Sequence, residues 1–112
     1  MKKIEAIVRR EALADIQSAL EEAGYRGMTV TEVKGHGKQR GLAQQWRGQE
    51  YRIELLPKAK VELVVLDEDV GRIIAAIVRT ARTGEIGDGK VFVSPIESAV
   101  RVRTGETGVD AI

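Results

Sequence analysis

Twice along this chain the apolar period changes from two to about 3.6, the periods of a strand and a helix. That double switch limits the available folds more than any other feature. Lys3 to Val8 sets Ile4, Ala6 and Val8 against Lys3, Glu5 and Ile7, the alternation of a half-buried strand. Leu13, Ile16, Leu20 and Ala23 then fall three or four positions apart, one stripe of a helix that Gly24 can end. The pair of periods returns later. Ala59 to Leu66 sets Val61, Leu63 and Val65 against Lys60, Glu62 and Val64, and Val70, Ile73, Ile74, Ile77, Val78 and Ala81 follow at helical spacing. Asp67 reads as the N-cap of this second helix, with Glu68 and Asp69 suited to the positive end of its dipole. A run rich in β-branched residues follows each helix: Met28 to Lys34, and Val91 to Val93 closed by Pro95. The order strand, helix, strand, strand, helix, strand is an α+β, ferredoxin-like βαββαβ arrangement in a single domain. The tail from Ala99 to Ile112 is predicted to be extended near Val100 to Arg103 and looser beyond.

Helices cover one face of such a sheet, and Ile7, Val33 and Val64 fall on the other, so a homo-oligomer would bury surface that a single copy leaves open. With 18 basic against 17 acidic side chains, bulk charge gives no reason to expect a nucleic-acid partner. The absence of cysteine removes disulfides and thiolate metal sites and agrees with a cytoplasmic setting. In MKKIEAIVRR, Glu5 and then Arg9 and Arg10 break the apolar run, so a signal peptide is not expected. No stretch nears the roughly 20 apolar residues that span a bilayer, so direct membrane insertion is not expected either.

Between the second and third strand-like runs lies Gly35 to Lys58, polar, punctuated by glycine and locally basic. Unstructured loops beyond about 12 to 15 residues are usually functional or disordered, so this one reads as an arm that contacts something. Trp46 and Tyr51 stand in it beside arginines, a combination favoured at interfaces. A second feature, Thr83 to Lys90, contains G-x-x-x-x-G-K from Gly84 to Lys90. It is not a P-loop, because Val91 stands where a hydroxyl would hold magnesium and the turn leads from helix to strand. Its glycines still allow backbone N–H groups to approach an anion, with Lys90 beside them, although a plain tight turn fits the same residues. Arg101 and Arg103, alternating on an extended segment, would point to one side and could grip phosphate oxygens or simply be solvated. The lone histidine, His36, forms no cluster, and no Ser-His-Asp set suggests catalysis.

With these pieces in place the chain resembles the PII nitrogen-regulatory signal proteins over essentially its full length. The resemblance is carried by GMTVTEVKG (Gly27 to Gly35), Gly37, Gln39 and Gly41, Arg47-Gly48 with Glu50-Tyr51, Pro57-Lys58, Thr83 to Lys90, and Arg101 to Glu106. It implies a T-loop at residues 37–55, a B-loop at 82–90 and a C-terminal loop at 101–112. It further implies a homotrimer in which ATP and ADP compete for clefts between subunits, with 2-oxoglutarate bound beside magnesium-ATP. On that pattern Gly87, Asp88, Gly89 and Lys90 would cradle the phosphates with Arg101 and Arg103, while Gly37 and Lys38 would reach them from the loop base. Thr29 and Val64 would lie near the adenosine. Gln39 would ligate magnesium, and Gln39, Gly41, Lys58 and Gly87 would hold 2-oxoglutarate.

The resemblance implies a non-catalytic sensor whose Arg47 and Tyr51 meet an ammonium transporter, which would recruit it to the inner face of the membrane. Glutamine synthetase, nitrogenase or another nitrogen-assimilation enzyme is the alternative target, and a small nucleotide-dependent phosphotransfer enzyme the alternative class. Tyr51 stands where some relatives are uridylylated or adenylylated. The chain departs from the family pattern at Lys38, a point charge in place of a fork, at His36 in place of an aromatic, at Arg9-Arg10, and at Ala43, Gln44 and Trp46.

Overall fold

A computed structural model gives residues 1–36 and 55–112 in full and, between them, the backbone of residues 43–46 and 49–53. Four strands form one antiparallel sheet: β1 (Lys2–Val8), β2 (Thr29–Gly35), β5 (Leu56–Val65) and β6 (Gly89–Pro95), in the spatial order β2-β5-β1-β6. Helix α1 (Leu13–Glu22) joins β1 to β2, and α2 (Val70–Ala81) joins β5 to β6, which is the ferredoxin-like arrangement expected. Ile4, Ala6 and Val8 of β1 and Ala59, Val61, Leu63 and Val65 of β5 are buried against Ile16 and Leu20 of α1 and Ile73 and Ile77 of α2. Period two on the strands and 3.6 on the helices thus meet in one core. Gly24 ends α1 at φ 93°, where its N–H reaches the Glu21 carbonyl and the Tyr25 N–H reaches that of Leu20, a Schellman closure.

Four details differ from the sequence expectation. The third strand of the sheet begins at Leu56, ahead of Ala59, because Leu56 to Lys58 pair with Val33 to Gly35 of β2. Pro57 is tolerated there since the β1 ladder reaches only as far as Ala59, leaving that side of β5 without a strand partner. The polar stretch expected to be a loop carries a two-stranded ribbon, β3 (Ala43–Trp46) and β4 (Gln49–Ile53), with a register shift between Gln44 and Gln45. Asp67 does not cap α2. Residues Asp67–Asp69 form a 3-10 turn, and the Asp67 carboxylate takes the amino group of Met1 at 2.8 Å and Lys2 at 3.2 Å, which hold its pKa below the usual range. Finally, Arg101 to Arg103 are not extended: the Gly105 N–H reaches the Arg101 carbonyl at 2.8 Å, with Gly105 at φ 74°.

The second face of the sheet carries Lys3, Glu5 and Ile7 of β1 beside Lys60, Glu62 and Val64 of β5. Glu5 and Glu62 lie directly opposite, a repulsive placement relieved by Lys60, 3.3 Å from Glu62 and 3.9 Å from Glu5. Ile7, Val33 and Val64 are half-buried there, and Phe92 of β6 is 52% exposed. No helix is long and apolar enough to cross a membrane among the described residues.

One position joins the sheet to the turn before β6. Gly89 sits at φ 114° opposite Val8, and a Cβ added to it would lie 1.8 Å from the Ile7 carbonyl oxygen. Gly89→Ala must therefore part β1 from β6 at their last pair. It is expected to cost about 2 to 4 kcal/mol in urea unfolding; an unchanged midpoint would contradict the close approach.

Candidate anion site at the end of the central strands

Continuing the register past Val8 places Arg9 beside Lys58 on one flank and Asp88 on the other, all on the open face of the sheet. Asp88 organises the turn that precedes β6. Its carboxylate accepts the N–H groups of Thr83 at 2.8 Å and Gly84 at 2.9 Å, the Thr83 hydroxyl, and Arg9 Nε at 3.3 Å. The Thr83 contacts foremost, with Gly84 and Arg9, hold the Asp88 carboxyl well below the usual carboxylate range. Arg9 also donates through Nη2 to the Ile86 carbonyl at 2.8 Å. Lys58, only 8% exposed, donates to the Gly87 carbonyl at 2.6 Å. Burial, and then the nearby Arg9 charge, pull its ammonium pKa down. Among the described residues the cluster thus sets Arg9 and Lys58 against Asp88, whose carboxylate is taken up by the turn and Arg9, with the Glu11 charge nearby.

An open cleft of about 610 Å³ lies further along the same face, lined by Tyr25, Met28, Thr29, Glu62, Val64 and Ile112 among others. Thr29 pairs with Glu62, and Lys58 lies four residues along β5, so about 13 Å of strand separates the cleft from the Lys58 cluster. Tyr25 is fixed by its hydroxyl, which donates to Asp69 and accepts the Leu66 N–H at 3.1 Å.

The profile of the family described as nitrogen regulatory protein P-II matches residues 1–106. Nitrogen regulatory protein P-II of Bradyrhizobium diazoefficiens is 56% identical over 112 residues, covering all of both chains. Nitrogen regulatory protein P-II 2 of Methanothermobacter thermautotrophicus is 54% identical over all of this chain and 97% of its own length. The chain belongs to the P-II family.

Among the positions that the P-II resemblance singles out, the structure brings Gly87, Asp88 and Lys58 together, and Gly89 and Lys90 begin the adjoining strand. Thr29 and Val64 share the cleft. The Asp88 side chain is turned inward, which leaves only its backbone N–H for an outside anion, and the Gly84 N–H is likewise taken. Arg101 and Arg103 are not gathered into this cluster. Strand β6 runs from Gly89 beside Val8 to Pro95 beside Lys2, so the tail leaves from the opposite end of the sheet. There Arg101 pairs with Glu106 at 3.1 Å, in a turn closed by the Val100–Thr107 bridge. Gly37, Lys38, Gln39, Gly41 and Arg47 lie outside the described residues, as does the Tyr51 side chain. In sequence Arg9 marks only the end of an apolar run and a departure from the P-II pattern. Its role follows from strand register, which a helix or strand period does not reveal.

Ionised Asp88 favours the folded chain at neutral pH, because its folded pKa is depressed. That contribution is present above its ordinary value near 4 and is lost as pH falls below it. Urea titrations should therefore find the wild type more stable than Asp88→Asn at about pH 7, with the gap narrowing steadily below about pH 4. A gap that does not change with pH would mean the carboxylate is not the pin.

Proposed function

We propose that this P-II protein senses adenine nucleotides and 2-oxoglutarate and passes their state to a partner protein through its T-loop. The observation that carries the reading is one sheet face bearing an open cleft at Thr29 and Val64 and, about 13 Å along the strands, a glycine turn backed by Lys58 and Arg9. That spacing suits a nucleoside at one end and its distal phosphates at the other. ATP and ADP would compete for it, with Gly37, Lys38, Gly87, Gly89 and Lys90 toward the phosphates.

Arg101 and Arg103 reach the phosphate end of such a site only if another copy supplies them, because each chain's tail departs from the other end of its own sheet. This favours a homotrimer that covers the open sheet face. Lys58 is the natural partner of a 2-oxoglutarate carboxylate, since an anion displacing the Gly87 carbonyl from its Nζ would stabilise the charge that burial disfavours. Among the described residues no group of three acidic or histidine side chains could hold a metal. Magnesium needs few protein ligands when phosphates and a substrate oxygen supply the rest, so Gln39 would suffice beside them. The output target is an ammonium transporter at the inner face of the membrane, met by Arg47 and Tyr51 of a cytoplasmic trimer. Glutamine synthetase or nitrogenase is the second reading, through the same loop.

Calorimetry tests the ligands. ATP binding should weaken about tenfold or more in Lys90→Ala and Arg103→Ala, the loss of one charge-assisted contact each. Gln39→Ala should lose 2-oxoglutarate binding while still binding ATP. Unchanged affinities would sink the assignment. For the output, detergent-solubilised ammonium transporter should be retained by immobilised wild-type protein in ADP and released in ATP with 2-oxoglutarate. Arg47→Ala and Tyr51→Ala should fail to retain it while binding ATP normally; equal retention by the variants would remove the transporter model.

A further inference from the structure

Arg9 and Lys58 do more at the turn than carry charge. Arg9 Nη2 holds the Ile86 carbonyl at 2.8 Å, and Lys58 Nζ holds the Gly87 carbonyl at 2.6 Å. In a planar trans peptide the N–H points opposite to the C=O. Drawing these two carbonyls toward the cations therefore turns the N–H groups of Gly87 and Asp88 the other way. Gly87, at φ 103°, permits the reversal. Among the described residues neither N–H has an acceptor. Two successive N–H groups aimed together form a concavity suited to an anion. The Asp88 carboxylate does not fill it, because that carboxylate is bound by Thr83, Gly84 and Arg9. A single guanidinium thus spans the turn, with Nε on the Asp88 side chain and Nη2 on the carbonyl two residues earlier.

We propose that Arg9 is a positioning residue: by gripping the Ile86 carbonyl and the Asp88 carboxylate together, it aims the Gly87 and Asp88 N–H groups at a phosphate that it does not itself touch. The inference rests on the nucleotide reading above. It separates from simple charge attraction by sign. If Arg9 and Asp88 acted only through their charges, Arg9→Lys would bind ATP as well as the wild type, and Asp88→Asn, having lost a negative charge beside an anion, would bind it more tightly. Positioning predicts the reverse. A lysine ammonium is a compact point donor that cannot reproduce the two-pronged grip of a planar guanidinium. Asparagine offers one oxygen where the carboxylate offers two.

ATP binding to the full-length protein, measured by calorimetry alongside a circular-dichroism check of folding, should therefore weaken about fivefold or more in both Arg9→Lys and Asp88→Asn, the scale of one misdirected charge-assisted hydrogen bond. In 15N-labelled protein, ATP should shift the Gly87 and Asp88 amide resonances of the wild type and leave those of Arg9→Lys nearly in place. Should Asp88→Asn fail to fold, the charge-conserving Arg9→Lys decides alone. Wild-type affinity in Arg9→Lys, with tighter binding by Asp88→Asn where it folds, overturns the inference and leaves the nucleotide reading intact. Absence of ATP binding by the unmodified protein overturns both.

Discussion

Strand β1 is hydrogen-bonded along both edges, and both ladders end at Val8, opposite Ala59 on one side and Gly89 on the other. Ile4, Ala6 and Val8 supply the middle of the core, each at most 2% exposed, so the strand cannot slip by one residue without turning that whole set to the open face. This fixed register delivers Arg9, Lys58 and Asp88 to one place. The close approach of Gly89 to the Ile7 carbonyl pins the turn to the same point. The geometry of this candidate anion site is in this sense a consequence of how the core is packed.

The cluster's electrostatics follow from that confinement. Two cations near each other and partly withdrawn from water repel, and burial with the Arg9 charge lowers the preference of Lys58 for charge. Among the described residues the hydrogen bonds that relieve this come from the Asp88 carboxylate and the carbonyls of Ile86 and Gly87, with the Glu11 charge nearby. Carbonyl dipoles answer a positive charge only in part, and a carboxylate or phosphate answers it more fully. Lys58, whose hydrogen bond among the described residues goes to a carbonyl, therefore retains a demand for an anion in direct contact. The Asp88 carboxylate does not meet that demand, since its N–H and hydroxyl partners in the turn hold it.

Much of this was legible in the sequence because periodicity reports burial. The alternations at Ile4, Ala6 and Val8 and at Val61, Leu63 and Val65, and the stripes through Ile16, Leu20, Ile73 and Ile77, are the core that the structure shows. What escaped was set by register or by a single backbone angle. Asp67 has the composition of a cap but is taken by the Met1 amino group across the sheet. Arg101 and Arg103 alternate as a strand would, yet Gly105 at φ 74° folds that segment back on itself. In the ribbon, Ala43–Trp46 has no apolar alternation, whereas Tyr51 and Ile53 alternate with Glu50 and Arg52, a strand signal that the polar, glycine-punctuated setting masks. Arg9 reads as one surface arginine of two, and only its place one step past Val8 brings it to Asp88 and the Ile86 carbonyl. The turn holding Gly87 and Asp88 was legible from its glycines and Lys90, whereas Lys58 stood out only through family resemblance, because a motif encodes backbone conformation that periodicity cannot.

The same strands explain why a small ligand could reach a distant partner. Lys58 stands two residues from Leu56, where β5 meets Gly35 of β2 in the last pair before the chain departs toward the ribbon. Beyond Ala59 that end of β5 is held on one side only, by β2, without the core burial that fixes Val61 and Val65. A ligand that withdraws Lys58 from the Gly87 carbonyl would exchange a contact to the turn for one to itself, at the point where the sheet's constraint on the loop is weakest. Because the buried ammonium must keep a partner in either state, the exchange is between two defined arrangements and does not proceed by gradual loosening. In the proposed function, the ligand's preference between those two arrangements would set which path the T-loop takes on leaving the sheet.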